Sequence, residues 1–177
     1  MVKRVILLFG YPLFFILSLM YFTPKQSIYY FVEKELKTYD VIISNEEVQD
    51  SGFTLNLENA DLFVKSIKSA SAKTVNMKIF VFYNSITLND ITLSNFAASF
   101  IPLKIDELSV AYSLLNPLKI KAYGVGEFGE AGAAFNLLDR TLHIEIEPSD
   151  KMKKEYKNSM RQLKKSEDGG YSYDKAF

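Results

Sequence analysis

The stretch Val5–Phe22, VILLFGYPLFFILSLMYF, constrains this chain more than any other. It carries no charged residue, and Ser18 is its only clearly polar side chain. At about 1.5 Å rise per residue, a helix over it reaches about 27 Å, close to the hydrocarbon thickness of a bilayer. Backbone groups in lipid find no water, so the stretch is expected to be helical in spite of Gly10 and Pro12. Val5, Leu7, Phe9, Phe14, Leu17 and Phe22 are the expected anchor side chains. Lys3 and Arg4 precede the run and Lys25 alone follows it closely, a bias that places the N-terminus in the cytoplasm and the rest across the membrane. Residues 1–22 are therefore read as a cytoplasmic N-terminus and a single-pass transmembrane anchor. A cleaved signal peptide would need a shorter apolar region, about 7–15 residues, ending at a small-x-small site, and YFTPKQ provides none.

The remainder is enough for one small domain with its own core. The chain has no cysteine, so hydrophobic burial and not a disulfide framework must hold an exported domain together. Zero net charge conceals a split. Gln26–Asp150 holds 10 Lys/Arg against 17 Asp/Glu, whereas Lys151–Lys165 holds 7 basic residues against Glu155 alone. An acidic body that faces away from the cytoplasm argues against a nucleic-acid partner.

Residues 23–38 read as a juxtamembrane helix. Thr23 and Gln26 suit a capping box, Pro24 suits the first turn, and Ile28, Phe31, Val32 and Leu36 fall on one face, with Tyr29 and Tyr30 near the membrane interface. From Val41 the period changes to two, which predicts a β domain over 39–148. Three segments share the pattern apolar, x, apolar, x, Asn/Asp/Glu, apolar, x, apolar: Leu55–Leu62, Ile86–Leu93 and Leu103–Val110. In each the alternation slips by one residue at the polar position. A slip reverses the apolar face unless a bulge or sharp bend absorbs it, so each copy predicts a bulged or bent strand. Residues 149–166 read as a basic amphipathic helix with Met152, Tyr156, Met160 and Leu163 as its stripe, and residues 167–177 as a flexible tail. The fold class expected is mainly β (α+β): an N-terminal transmembrane helix, an antiparallel bulged or curved sheet, and a basic C-terminal helix.

Chemistry is sparsely signalled. Gly124-Val-Gly126-Glu-Phe-Gly129 matches G-x-G-x-x-G, but Glu127 and Glu130 would repel phosphates and too few residues follow for a doubly wound sheet. His143, the single histidine, shares a strand face with Glu145 and Glu147, whose side chains diverge too far for good chelation. No catalytic, cofactor or metal site is expected, and the chain is read as a non-enzyme. Two binding surfaces are expected. The run Val75–Tyr83, apolar on both faces, offers a groove at Met77, Ile79, Phe80, Val81 and Phe82. Lys151, Lys153, Lys154, Lys157, Arg161 and Lys164 offer a lipid or partner contact, unless the helix docks on its own sheet.

The anchor, the L-x-L-x-N-A-x-L strands and the segment NPLKIKAYGVGEFGEAGAAFNLLDRTLHIEIEPS together resemble the C-terminal half of the N protein of bacterial type II secretion systems, and more loosely the AsmA class of strand-repeat envelope proteins. The resemblance covers roughly Gly52–Ser149 and transfers no catalytic residue. It implies a bitopic protein of the bacterial inner membrane with a periplasmic β domain, acting in secretion or envelope assembly through protein partners. The alternative reading is a periplasmic protein that binds or transfers phospholipid in an apolar groove.

Overall fold

A computed structural model describes residues 2–97, 100–161, 163–165 and 169–177, with side chains in the first helix from residue 7 onward, so the Val5 side chain lies outside the described residues. Helix α1 (Val2–Phe22) meets α2 (Lys25–Lys37) at a bend of 50°. Among the described residues no single helix is long and apolar enough to cross a membrane; Leu7–Phe22 and α2 satisfy length and composition only as a bent pair. Leu7, Phe9, Phe14, Leu17 and Phe22 are all exposed, and the domain meets this helix at its C-terminal end, where Tyr21 lies against Phe53.

The start of α2 differs from the expected capping box. Its N-cap is Pro24, with no side-chain cap. Thr23 Oγ1 instead donates to the Leu19 carbonyl, 2.6 Å away, and so closes the end of α1. The inward face is also rotated: Tyr29 is buried and Phe31 exposed, because the helix presents Lys25, Tyr29, Val32 and Leu36 to the sheet.

The sheet is a meander of antiparallel neighbours. It runs β3 (Leu55–Val64), β4 (Ile67–Ile79), β5 (Tyr83–Leu93), β6 (Lys104–Ser113), β7 (Lys119–Gly126), β8 (Gly129–Asn136) and β9 (Thr141–Pro148). Along the outer side of β3, β1 (Val41–Ser44) and β2 (Glu47–Asp50) pair one after the other. At the far edge β11 (Tyr171–Ala176) pairs with β9, and the two-residue β10 (Lys164–Lys165) pairs with the start of β11. The register aligns apolar residues into rungs on one face. One rung reads Leu57, Val75, Leu88, Leu108, Gly124, Ala131 and Ile146; the next reads Leu55, Met77, Ile86, Val110, Ala122, Ala133 and Ile144. The main core, built on Tyr29, Leu55, Leu57, Ala60, Ala72, Val75 and Ile91, lies between this face and α2.

The phase slips of the three repeats fall on one line across the sheet. Ala60 pairs with Ala72, Ala72 with Ile91 and Ile91 with Ile105, while Glu58, Thr74, Asn89 and Glu107 pair on the other side of the line. Asn59, Lys73, Asp90 and Asp106 are left between. Each strand thus carries one extra residue at the same level, the inward parity changes there from odd to even or back, and pairing from β3 to β6 crosses this line without a shift; the β3–β4 register shifts only farther on, between Leu62 and Phe63. Asn59 and Asp90 absorb the change with φ of 57° and 51°. β7 has no extra residue, so the register shifts between Ile105 and Glu107, a bulge at Asp106. Strand β4 is a fourth copy of the pattern, Ala70–Met77, with Lys73-Thr74 in place of the acid or amide.

Two C-terminal expectations are corrected. The basic segment is not one helix: α3 (Asp150–Glu155) and α4 (Lys157–Met160) are separated at Tyr156, which has φ −114°. In a continuous helix Met152 and Met160 would point about 80° apart; the break lets both bury against Phe128. The tail is not flexible along Tyr171–Ala176, which is β11. Tyr171 and Tyr173 pair with Ile146 and Ile144 and extend the apolar rungs, which is what holds the strand in place. Of the tail's earlier residues, 167 and 168 lie outside the described residues.

Candidate functional site

Helix α2 does not fill the concave face it covers. A cavity of about 530 Å³ lies between α2 and strands β3 to β7, within the range of small-molecule and acyl-chain sites. Its wall is built by the parity of the strands: Val75, Met77, Ile86, Leu88 and Val110 come from three neighbouring strands, and Val32 closes it from α2. Ile86 is 42% exposed although it sits on the inner face, because the partly open cavity leaves its side chain uncovered. Small side chains at Ala60, Ala70 and Ala72 leave the space that larger residues would fill.

Of the polar groups around α2, Tyr29 lines this cavity and Lys25 lies outside it. The buried Tyr29 hydroxyl donates to Glu46 Oε1 at 2.8 Å. Burial first, and the bond to the Glu46 carboxylate second, push its pKa far above the ordinary tyrosine value, so it remains a neutral donor. At the junction of the helices Lys25 is fully buried. Its ammonium donates to the carbonyls of Met20 (2.8 Å) and Thr23 (3.2 Å), and to that of Gly52 in the β2–β3 hairpin. A cation on the last carbonyls of α1 also complements the helix dipole. The same side chain therefore terminates α1 and ties it to the sheet, with the Tyr21 ring against Phe53 at 5.5 Å.

The expected groove residues separate. Met77 and Ile79 line the cavity. Phe80, Val81 and Phe82 do not continue the strand, which ends at Ile79; they form the tip of the β4–β5 hairpin, where the Phe80 N–H donates to the Tyr83 carbonyl at 3.1 Å. Val81 and Phe82 are exposed. Periodicity could not find the cavity itself, because α2 and the strands that wall it are brought together only by pairing.

Lys151, Lys153, Lys154, Lys157, Arg161 and Lys164 are all exposed, on a segment whose Met152 and Met160 dock against the β7–β8 turn. Ser149 caps α3, its hydroxyl accepting from the Met152 N–H at 3.1 Å, and Lys151 reaches Glu127 at 2.7 Å. Gly124–Gly129 is a β-hairpin with a two-residue turn, Glu127-Phe128, and leads into a strand and not a helix, so it has no helix N-terminus for a pyrophosphate. Gly129 has φ 109°, and a Cβ there would strike the Glu147 carbonyl, which is why glycine stands at this position.

His143 lies on the polar outer face. Its Nδ1 is 2.6 Å from Asp174 of β11 and its Nε2 is 3.2 Å from Glu145. The Asp174 bond first, and the Glu145 bond second, raise its pKa above the usual histidine value. Among the described residues no group of three His, Cys, Asp or Glu side chains is placed to hold a metal. Compared with known proteins, the chain matches no family model, no curated protein and no solved structure.

Proposed function

We propose that the chain is a membrane-anchored β-domain protein that holds an acyl chain or similar apolar ligand in the cavity under α2. The observation that carries this reading is an open apolar cavity under α2, the helix that follows directly on the uncharged run Val5–Phe22. An apolar cavity open to water is unfavourable unless something apolar occupies it. The cationic bias at Lys3 and Arg4 supports a cytoplasmic N-terminus and a domain on the periplasmic side of a bacterial inner membrane. No step of this reading requires catalysis. The test is photo-crosslinking: the full chain in membranes containing a phospholipid with a photoreactive acyl tail, followed by peptide mapping. Adducts on β4–β6 peptides that disappear in Ile86→Glu are expected. Adducts confined to α1 in both proteins would refute it.

The second reading is a scaffold in type II-like secretion or envelope assembly, as the resemblance of Gly52–Ser149 to secretion protein N suggests. The unclosed sheet favours it. β11 is paired with β9 along its length, but on its other side β10 pairs only with Tyr171 and Ser172, and this leaves Tyr173–Ala176 as an edge to which a partner strand can add. A photo-crosslinking residue at Lys175 in cells would then yield a discrete protein adduct; a lack of any adduct would count against the scaffold.

A further inference from the structure

Hairpin tips in water are usually built from Gly, Asn, Asp and Ser. At one end of this sheet the connections carry exposed apolar side chains beside such turn residues as Gly52, Asn116-Pro117 and Asp139. Ile79, Asn84, Tyr112, Ile120, Phe135 and Leu142 form one unbroken row of partners near that end. Just beyond the row stand Phe53, Phe82, Leu115, Leu118 and Leu138, on four connections, and Phe177, which follows β11, all exposed. Leu115 is 93% exposed and Leu138 72%, so neither serves the fold.

Helix α1 leaves the domain at this same end, where Lys25 holds the Gly52 carbonyl and Tyr21 packs on Phe53. From there α2 runs back along the sheet to Asp40, whose carbonyl accepts from the Lys65 N–H at the opposite end. Lys78 and Lys119, near the strand ends, and Arg140, on the β8–β9 connection beside Asp139, stand exposed around the apolar tips, where they can meet phosphate groups if the tips enter acyl chains. The cavity reaches this end as well, since Ile79, Asn84, Tyr112 and Ile120 line it. The basic residues of α3 and α4 lie at the other end of the sheet.

We propose that this rim is a membrane-seating surface. The apolar tips insert into the phospholipid monolayer adjoining α1, the three cations meet lipid phosphates, and the strands stand upright with the mouth of the cavity against the lipid. The seat rests on the reading of α1 as the membrane anchor, and it fixes an orientation that one helix alone leaves free.

The absence of cysteine permits a clean test. Leu115→Cys, Leu138→Cys, Phe96→Cys and Phe14→Cys are each labelled with an environment-sensitive fluorophore in the full chain. They are reconstituted in phosphatidylethanolamine–phosphatidylglycerol vesicles containing nitroxide-bearing lipid. Phe96, exposed on the β5–β6 connection, marks the opposite end. Labels at 115 and 138 are expected to be quenched several-fold more by lipid nitroxide than the label at 96, and to be shielded from aqueous iodide. Labels at 115 and 138 that respond like the one at 96 would overturn the seat. With Phe14 in lipid, that result leaves the anchor intact; with Phe14 in water, anchor and seat fall together. Acyl adducts in the cavity are scored separately, so loss of the seat and loss of the ligand site are distinguishable.

Discussion

Lys25 shows how one side chain can decide a junction. Burying an ammonium is costly unless carbonyls take over from water, and here the last turn of α1 and the β2–β3 hairpin both supply them. Lys25→Met should destabilise the joint by about 1.5–3 kcal/mol, the usual worth of hydrogen bonds to a charged group, and protease cleavage between Phe22 and Gln26 should become faster. At His143 the sign follows from the raised pKa. Its contribution is complete below the unfolded value of 6.5 and is lost as pH rises through the higher folded value. Asp174, lowered by the same bond, contributes above 3.8 and loses its share as pH falls. The tie between β9 and β11 should therefore be strongest between about pH 4 and 6.5. An NMR titration of the single histidine should give a midpoint above 6.5 in the wild type and a lower one in Asp174→Asn. Asp61 behaves in the acidic sense: bonds from Lys68, Ser71 and Asn45 bring its carboxyl down to about 2. Stability from that cluster is present above about 4 and lost toward pH 2, so Asp61→Asn should flatten the acid limb of the unfolding curve.

At the level of elements, much of the sheet is legible in the sequence. The three repeats were legible because a phase slip in a period-two pattern has few structural solutions. The fourth was not, because Ala70 and Ala72 are weakly apolar and Lys73-Thr74 carry no acid or amide. The end of β4 has no local signal, since Phe80-Val81-Phe82 carries none of the residues that mark a turn, and β11 has little, since two tyrosines in a short polar segment give little periodicity. The basic segment is similar: its apolar spacing is continuous in sequence, whereas docking on Phe128 requires a break at Tyr156. One hairpin invites a direct test. Val64 pairs with Ile67 around Lys65-Ser66, both at positive φ (49° and 64°), the geometry of a type I′ turn. Asn-Gly is the favoured sequence there, so the double substitution Lys65→Asn, Ser66→Gly should raise stability by about 1 kcal/mol in chemical denaturation.

Taken whole, the molecule is a sheet apolar on one face, partly roofed by one helix and extended by another. The roof is legible in the sequence as a juxtamembrane helix, but the space left beneath it depends on residues far apart in sequence and has no local signature. The order of strands carries a further consequence. From β3 to β9 each new strand lies beside the one just before it, with connections as short as two residues. Native pairing at any moment of synthesis therefore needs only what has already emerged, and loop closure costs little at each addition. The sheet can be laid down row by row from its N-terminal edge, like a mat woven from one side, and β11 is added after β10 as its selvedge.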